Sequence, residues 1–434
     1  MTGKKIQQIG RAASLLVLAL ALGGSASAYS VLTHEEIIDL AWTSDLRPLL
    51  LERFPGLTPE QIKEAHAYAY GGSVIQDLGY YPFGNKDFSN LVHYVRSGDF
   101  VLELLLESQD PKEYAFALGA LSHYVSDIDG HQAVNEAVAI AYPKLRARFG
   151  PSVRYAQDKV AHLKTEFGFD TLQVARNRYA PEQFHDFIGF EVSESLLERV
   201  FPIVYGLELK DILTHEDLAI GSYRFAVSRL IPQMTQVALA MNKKTFLRET
   251  PNFDRRRFLY RLSRSDYERR WGKTYTKPGV GTRILAFLLR LIPKVGPLKG
   301  LGFNHPTPQT EDLYIKSINA TVDDYRARLK DVHSGHIQLP DRDLDSGNLT
   351  AAAEYSLTDE AYAALLARLA ARQFDRTTPQ LRANILAFYG SPPLPVETQK
   401  DPARWQALQD NLGQLRAMPP SRLPPSPDLQ APQH

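Results

Sequence analysis

Residues 110–131 read DPKEYAFALGALSHYVSDIDGH. Asp110-Pro111-Lys112-Glu113 has the form of a helix start, a capping side chain followed by proline where its missing N–H costs nothing. Behind it Tyr114, Leu118, Leu121 and Val125 recur at helical spacing. On such a helix His123 and Asp127, four residues apart, share a face. The pair can grip one cation, and the second oxygen of Asp127 can touch another. Outward from this stretch the pattern stays helical, with Ile37, Leu40 and Ala41, then Phe100, Leu104 and Leu105, and a second start at Thr58-Pro59-Glu60. Further helices are expected at about 309–330, 358–373 and 377–389. The stretch 74–89, with Gly79, Pro82 and Gly84, reads as a loop between helices. No period-2 run with hairpin chemistry occurs, so the expected class is all-α.

The chain has 434 residues, 44% hydrophobic and 23% charged, with net charge +1, which excludes a disordered, fibrous or polytopic membrane protein. It has no cysteine, which removes disulfides, thiolate zinc sites, iron–sulfur clusters and a cysteine nucleophile. Residues 1–28 read as a secretory signal: Lys4, Lys5 and Arg11, an apolar run from Ala12 to Leu22, and Ala26-Ser27-Ala28 as the cleavage site. The run is too short to span a bilayer. Cleavage exports the chain, to periplasm or medium, and makes Tyr29 the first residue. A first domain is expected at 29–245 and a helical accessory region at 246–390. Residues 391–434 read as a proline-rich disordered tail. Residues 251–300 carry 13 Lys or Arg against 3 Asp or Glu. Their apolar core, 283–292, reads either as a buried helix with a charged rim or as an element meeting anionic lipid.

Six of the twelve histidines lie between Tyr29 and Glu166. Beside His123-x-x-x-Asp127 and the nearby His131 stands His162-x-x-x-Glu166, also at i, i+4. Asp77 and His93 flank the 74–89 loop, and His34 follows closely on the expected new terminus. His66, between Ala65 and Ala67, has no paired carboxylate and is expected to be packed. A lone pair of this kind is ordinarily an exposed ion pair. The ordered series Tyr29, His34, Asp77, His93, His123, Asp127, His131, His162, Glu166 carries the signal.

That series resembles the zinc-dependent phospholipase C and S1–P1 nuclease superfamily, over about residues 29–235. The start Tyr29-Ser-Val-Leu-Thr-His34 is similar to the processed start of the phospholipase C/D domain. The resemblance implies an all-α, multi-helix domain of the phospholipase C / P1 nuclease kind, followed here by a helical C-terminal extension. It implies up to three zinc ions. Asp77, His93, His123 and Asp127 would hold one. The amine and carbonyl of Tyr29, with His34 and bridging Asp127, would hold a second. His131, His162 and Glu166 would hold the third. The family usually has five residues between the counterparts of Asp127 and His131, where this chain has three. Its usual Trp or Cys start is Tyr29 here, and Leu78 stands where choline-specific members carry an aromatic residue.

Such a centre makes hydroxide from a shared water and polarises a phosphoryl oxygen. Asp77 or Asp129 would orient the attacking water or take its proton. The expected function is an exported zinc-dependent phosphodiesterase acting on phospholipid headgroups, with peripheral membrane contact through 283–292. No specific nucleic-acid partner is expected. The alternatives are a single-strand nuclease and a non-catalytic helical scaffold stabilised by metal. Tyr80, Tyr81, Phe83 and Phe88 are candidates to wall a headgroup or stack on a base, or else core packing.

Overall fold

The structure, a computed structural model, describes residues 30–175, 190–227, 231, 306–390 and 396–418. The expected signal at 1–28, Tyr29, the basic block at 251–300 with 283–292, and residues 419–434 lie outside the described residues. Among the described residues there is no strand; Arg342 and Leu349 form one isolated antiparallel bridge. No described helix is long and apolar enough to cross a membrane. The main helices are α1 (Val31–Ala41), α2 (Pro59–Gly72), α3 (Lys86–Tyr94), α4 (Ser97–Glu107), α5 (Pro111–Ala141), α6 (Lys159–Ala175) and α7 (Glu194–Tyr205). Beyond the basic block follow α8 (Pro308–His333), α9 (Ser356–Ala371), α10 (Pro379–Gly390) and α11 (Pro402–Ala417).

Helix α5 is the axis of the molecule. It has 31 residues and is therefore roughly 46 Å long. Its first turn is capped as the sequence suggests: the Asp110 carboxylate accepts from the N–H groups of Lys112 and Glu113 at 2.8 and 2.9 Å. Apolar and small residues occur on all sides of it, and most of its side chains are buried. That pattern belongs to a helix surrounded by others rather than to an amphipathic surface helix.

Two glycines set its closest neighbour. A Cβ on Gly119 of α5 would lie 2.1 Å from the carbonyl oxygen of Ala69, and one on Gly72 of α2 would lie 1.9 Å from that of Phe116. The backbones of α2 and α5 thus touch where no side chain fits. Helix α8 packs on the same axis. Its Tyr325 donates to the carbonyl of Leu118 at 2.8 Å, and its Tyr314 hydroxyl meets Thr33 of α1 at 2.6 Å. The buried residues of 306–418 and those of the first 227 residues form one continuous core.

Two local expectations change. The stretch 74–89 is not a plain loop: Ile75–Tyr80 is a buried 3₁₀ turn, and α3 begins at Lys86. Within the stretch expected to be disordered, residues 402–417 form α11. There Leu408, Leu412 and Leu415 are buried at helical spacing, and Arg382 of α10 donates to the carbonyl of Leu415 at 3.1 Å. The apolar stripe outweighs the flanking prolines.

Replacing Gly119 by Ala is expected to destabilise the fold by about 2 kcal/mol, because the obstacle is backbone and cannot swing aside. The control Gly413→Ala, in α11 with nothing within 4 Å of its new Cβ, should be neutral or stabilising. Urea denaturation midpoints for the two variants check this.

Candidate metal centre

Asp127 lies near the middle of α5 with 0% exposure. Three imidazoles from three helices face it. His34 on α1 comes within 3.6 Å of Oδ1; His93 on α3 and His123 on α5 come within 3.4 and 3.2 Å of Oδ2. Asp77, on the 3₁₀ turn, places Oδ1 3.6 Å from Nε2 of His93. His131, one turn beyond Asp127, is 3.9 Å from Oδ2. All six side chains are buried.

The backbone fixes which nitrogen each ring presents. Nδ1 of His93 donates to the carbonyl of Ser89 at 2.8 Å, and Nδ1 of His123 donates to that of Ser73 at 2.9 Å. Ser73 follows directly on α2, so the glycine-mediated approach of α2 to α5 is what brings this carbonyl to His123. With Nδ1–H committed in both, the two Nε2 atoms turn inward and stand 3.4 Å apart. An imidazole oriented through its other nitrogen is the ordinary second-sphere arrangement of a metal-ligating histidine.

Helix α1 is held in place from α6. The Asp170 carboxylate accepts from Leu32 N–H, Thr33 N–H and the Thr33 hydroxyl at 3.1, 3.2 and 2.8 Å. This tether sits one residue from His34 and fastens the start of the described chain. Burial raises Asp170 to about 6, against the opposing effect of those hydrogen bonds.

The charge state of the cluster is unusual. Burial by itself would raise Asp127, but His123, His93 and His131 outweigh it and hold the carboxyl well below its ordinary range. Burial by itself would lower His93, yet Asp127, Asp77 and Asp345 raise it to about 9. Burial and the neighbouring imidazole of His123 push His34 well below its ordinary value. Burial, with His131 beside it, lowers His162 to about 4.

These residues fit a bound cation. His34, His123 and Asp127 each bring one ligand atom within 4.8 Å of the others, and so do Asp77, His93 and His123. Both oxygens of Asp127 are buried without a hydrogen-bond donor. Two inward Nε2 atoms 3.4 Å apart facing one carboxylate oxygen call for positive charge between them. The donors are all nitrogen and oxygen, which suits zinc without thiolate.

The remaining expected residues fall in different places. His162 and Glu166 face one another across 3.3 Å, with Nε2 of His162 on the carbonyl of Val153 at 2.6 Å. The ring of His162 lies 6.2 Å from that of His131, centre to centre. Asp129 does not join the cluster. Two residues of helix, roughly 200° of rotation, separate it from Asp127. Its carboxyl is raised to about 6 by burial and by Asp324 of α8, with Arg328 opposing. His66 is packed as expected, stacked on Trp42 at 3.8 Å, but it does have a carboxylate partner, Asp39 at 3.1 Å, which sequence spacing did not reveal. Of the four aromatics near Asp77, Tyr80 is beside the cluster, with its ring 6.1 Å from that of His93. Tyr81 and Phe88 are core, and Phe83 is exposed.

One residue of the site was not anticipated. Asp345, between α8 and α9, reaches His131 Nε2 at 3.2 Å. Its signal in the sequence was the run Asp341-x-Asp343-x-Asp345-x-Gly347. Asp170 was also missed, although it continues the His162–Glu166 spacing by one more turn.

Residues 33–213 match a family model described as zinc dependent phospholipase C. Over this segment the chain is similar to the zinc-dependent phospholipase C family. It contains every clustered histidine named above and ends before α8. No curated protein and no solved structure matches the chain. In this segment His123 belongs to both candidate ligand groups, whereas His34 belongs to one. His123→Ala is therefore expected to lose more bound zinc than His34→Ala. Elemental analysis of the two purified variants measures the difference, and full zinc retention by His123→Ala would place His123 outside the site.

Proposed function

We propose that the chain is an exported zinc-dependent phosphodiesterase that hydrolyses phospholipid headgroups, with residues 29–245 as its catalytic unit. The observation that carries this reading is the convergence of His34, His93 and His123 on the buried carboxylate of Asp127, inside a segment that matches the phospholipase C family. Zinc bound by these residues supplies a water acidic enough to ionise near neutral pH and a Lewis acid for the phosphoryl oxygen.

In this reading the chain's own groups take the following roles. Asp77, His93, His123 and Asp127 form one ligand set. His34 and the second oxygen of Asp127 belong to another, to which the family resemblance adds the main-chain amine and carbonyl of Tyr29. His162 and Glu166 stand beside His131 and belong to the third. Ser89 and Ser73 carbonyls hold two imidazoles in the tautomer that leaves Nε2 available. Asp77 is the carboxylate assigned to orient the attacking water and take its proton; Asp129, on the α8 side of α5, is not. Residues 283–292 supply the contact with anionic membrane in this reading.

One observation favours a second reading, a metal-stabilised scaffold without catalysis: the clustered histidines have 0% exposure. A buried site of that kind contributes folding energy when loaded. As an enzyme the domain must open a covering element to admit a phosphodiester.

The two readings separate in one experiment. Purified protein beginning at Tyr29 is analysed for zinc and assayed on phospholipid vesicles and on single-stranded DNA. The phosphodiesterase reading expects zinc together with phospholipid cleavage. It also expects loss of both activity and part of the zinc when one residue precedes Tyr29, since the ligand amine is then an amide. Zinc retained with no cleavage of either substrate leaves the scaffold. Full activity of an N-extended chain overturns the role of Tyr29.

A further inference from the structure

The run of alternating aspartates at 341–345 resembles a calcium loop on paper, but its three carboxylates diverge. Oδ1 of Asp341 accepts from the N–H groups of Gly98 and Asp99 at 3.1 and 3.2 Å, at the start of α4. Asp343 closes its own turn, accepting from Asp345 N–H at 3.0 Å and from the Ser346 hydroxyl at 2.9 Å. Asp345 is left to point into the protein, with 0% exposure.

Its two oxygens have different surroundings. Oδ2 accepts from the hydroxyls of Tyr94 on α3, at 2.9 Å, and of Tyr355. Oδ1 is buried with no hydrogen-bond donor and lies 3.2 Å from Nε2 of His131. Nδ1 of His131 has no hydrogen-bond partner, and its Nε2 faces only the carboxylates of Asp345 and Asp127. The segment is fastened on both sides of this contact. Leu344 N–H donates to the carbonyl of His93 at 3.2 Å, and Asn135 of α5 donates to the Asp345 carbonyl at 3.5 Å. Tyr124 of α5 donates to the carbonyl of Pro340 at 2.6 Å.

A carboxylate with one oxygen held by two phenol hydroxyls and the other facing Nε2 of a buried imidazole is oriented as metal ligands are. We propose that Asp345 is a zinc ligand, sharing with His131 an ion of the centre, so that the region beyond the matched phospholipase C segment completes the metal site. The inference rests on the reading that the cluster holds zinc. It also bears on the spacing of the site. His131 lies one turn from Asp127 rather than farther along, with its Nε2 3.2 Å from Oδ1 of Asp345.

The test uses the full mature chain and variants Asp345→Asn, Asp345→Ala and Tyr355→Phe. Each is dialysed against buffered free zinc, and bound metal is measured by elemental analysis. Visible absorption after cobalt substitution reports the ligand field independently of activity. Circular dichroism checks that each variant is folded. Both Asp345 variants should lose one metal equivalent, or hold it about 100-fold more weakly, and alter the cobalt spectrum. Tyr355→Phe should weaken one ion about tenfold, the lower end of the effect of losing an orienting partner. Asp345→Asn keeps the volume and an acceptor for the tyrosines, so it carries the test if the alanine variant fails to fold. Wild-type zinc content, affinity and cobalt spectrum in folded Asp345→Asn would overturn the proposal and leave the zinc centre standing. A wild-type chain that binds no zinc would remove the centre itself, and this ligand with it.

Discussion

A carboxylate buried at the middle of a 31-residue helix is the constraint around which this molecule is arranged. Taking the charge of Asp127 out of water costs several kcal/mol unless positive partners surround it. Three helices each bring an imidazole to it, from His34, His93 and His123. The carboxylate stays ionised because those rings are there, and the rings are useful as ligands because their other nitrogens are occupied by main-chain carbonyls.

The packing that delivers them is specific. Gly72 and Gly119 let the backbones of α2 and α5 touch, and the carbonyl of Ser73 thereby meets Nδ1 of His123. The 3₁₀ turn Ile75–Tyr80, which continues directly from that contact, carries Asp77 to His93. Asp170 draws the first turn of α1 against α6, which sets His34 at its distance from Asp127. Helix contacts, turn geometry and charge pairing therefore act as one assembly, in which each side chain's orientation depends on a backbone atom in a different helix.

The segment beyond residue 306 takes part in that assembly. Helix α8 lies along α5 and touches α1 through Tyr314 and Thr33, and the 339–350 stretch passes over the histidines. Its hydrogen bonds to His93, Ser97 and Tyr124 place it against three separate helices of the first region. A chain that matches the phospholipase C family over 33–213 thus surrounds its cluster partly with residues from outside that match.

The helical class was legible in the sequence because helix periodicity and caps are local: Asp110-Pro111 and the apolar spacing behind it predict α5 without any distant contact. Most of the candidate cluster was legible too, since pairs four apart share a helix face wherever the helix goes, and the ordered set resembles a known family. Three things were decided only by the tertiary structure. Asp129 was a reasonable carboxylate by proximity in sequence, but helix rotation carries it to the α8 side. Leu408, Leu412 and Leu415 make a helix in a proline-rich stretch because a partner surface exists for them. Asp345 meets His131 from more than 200 positions away, and no spacing rule connects residues whose only link is the path of the intervening chain. Local patterns determine which elements form and which faces carry ligands; which faces meet is settled by packing, a property of the whole chain.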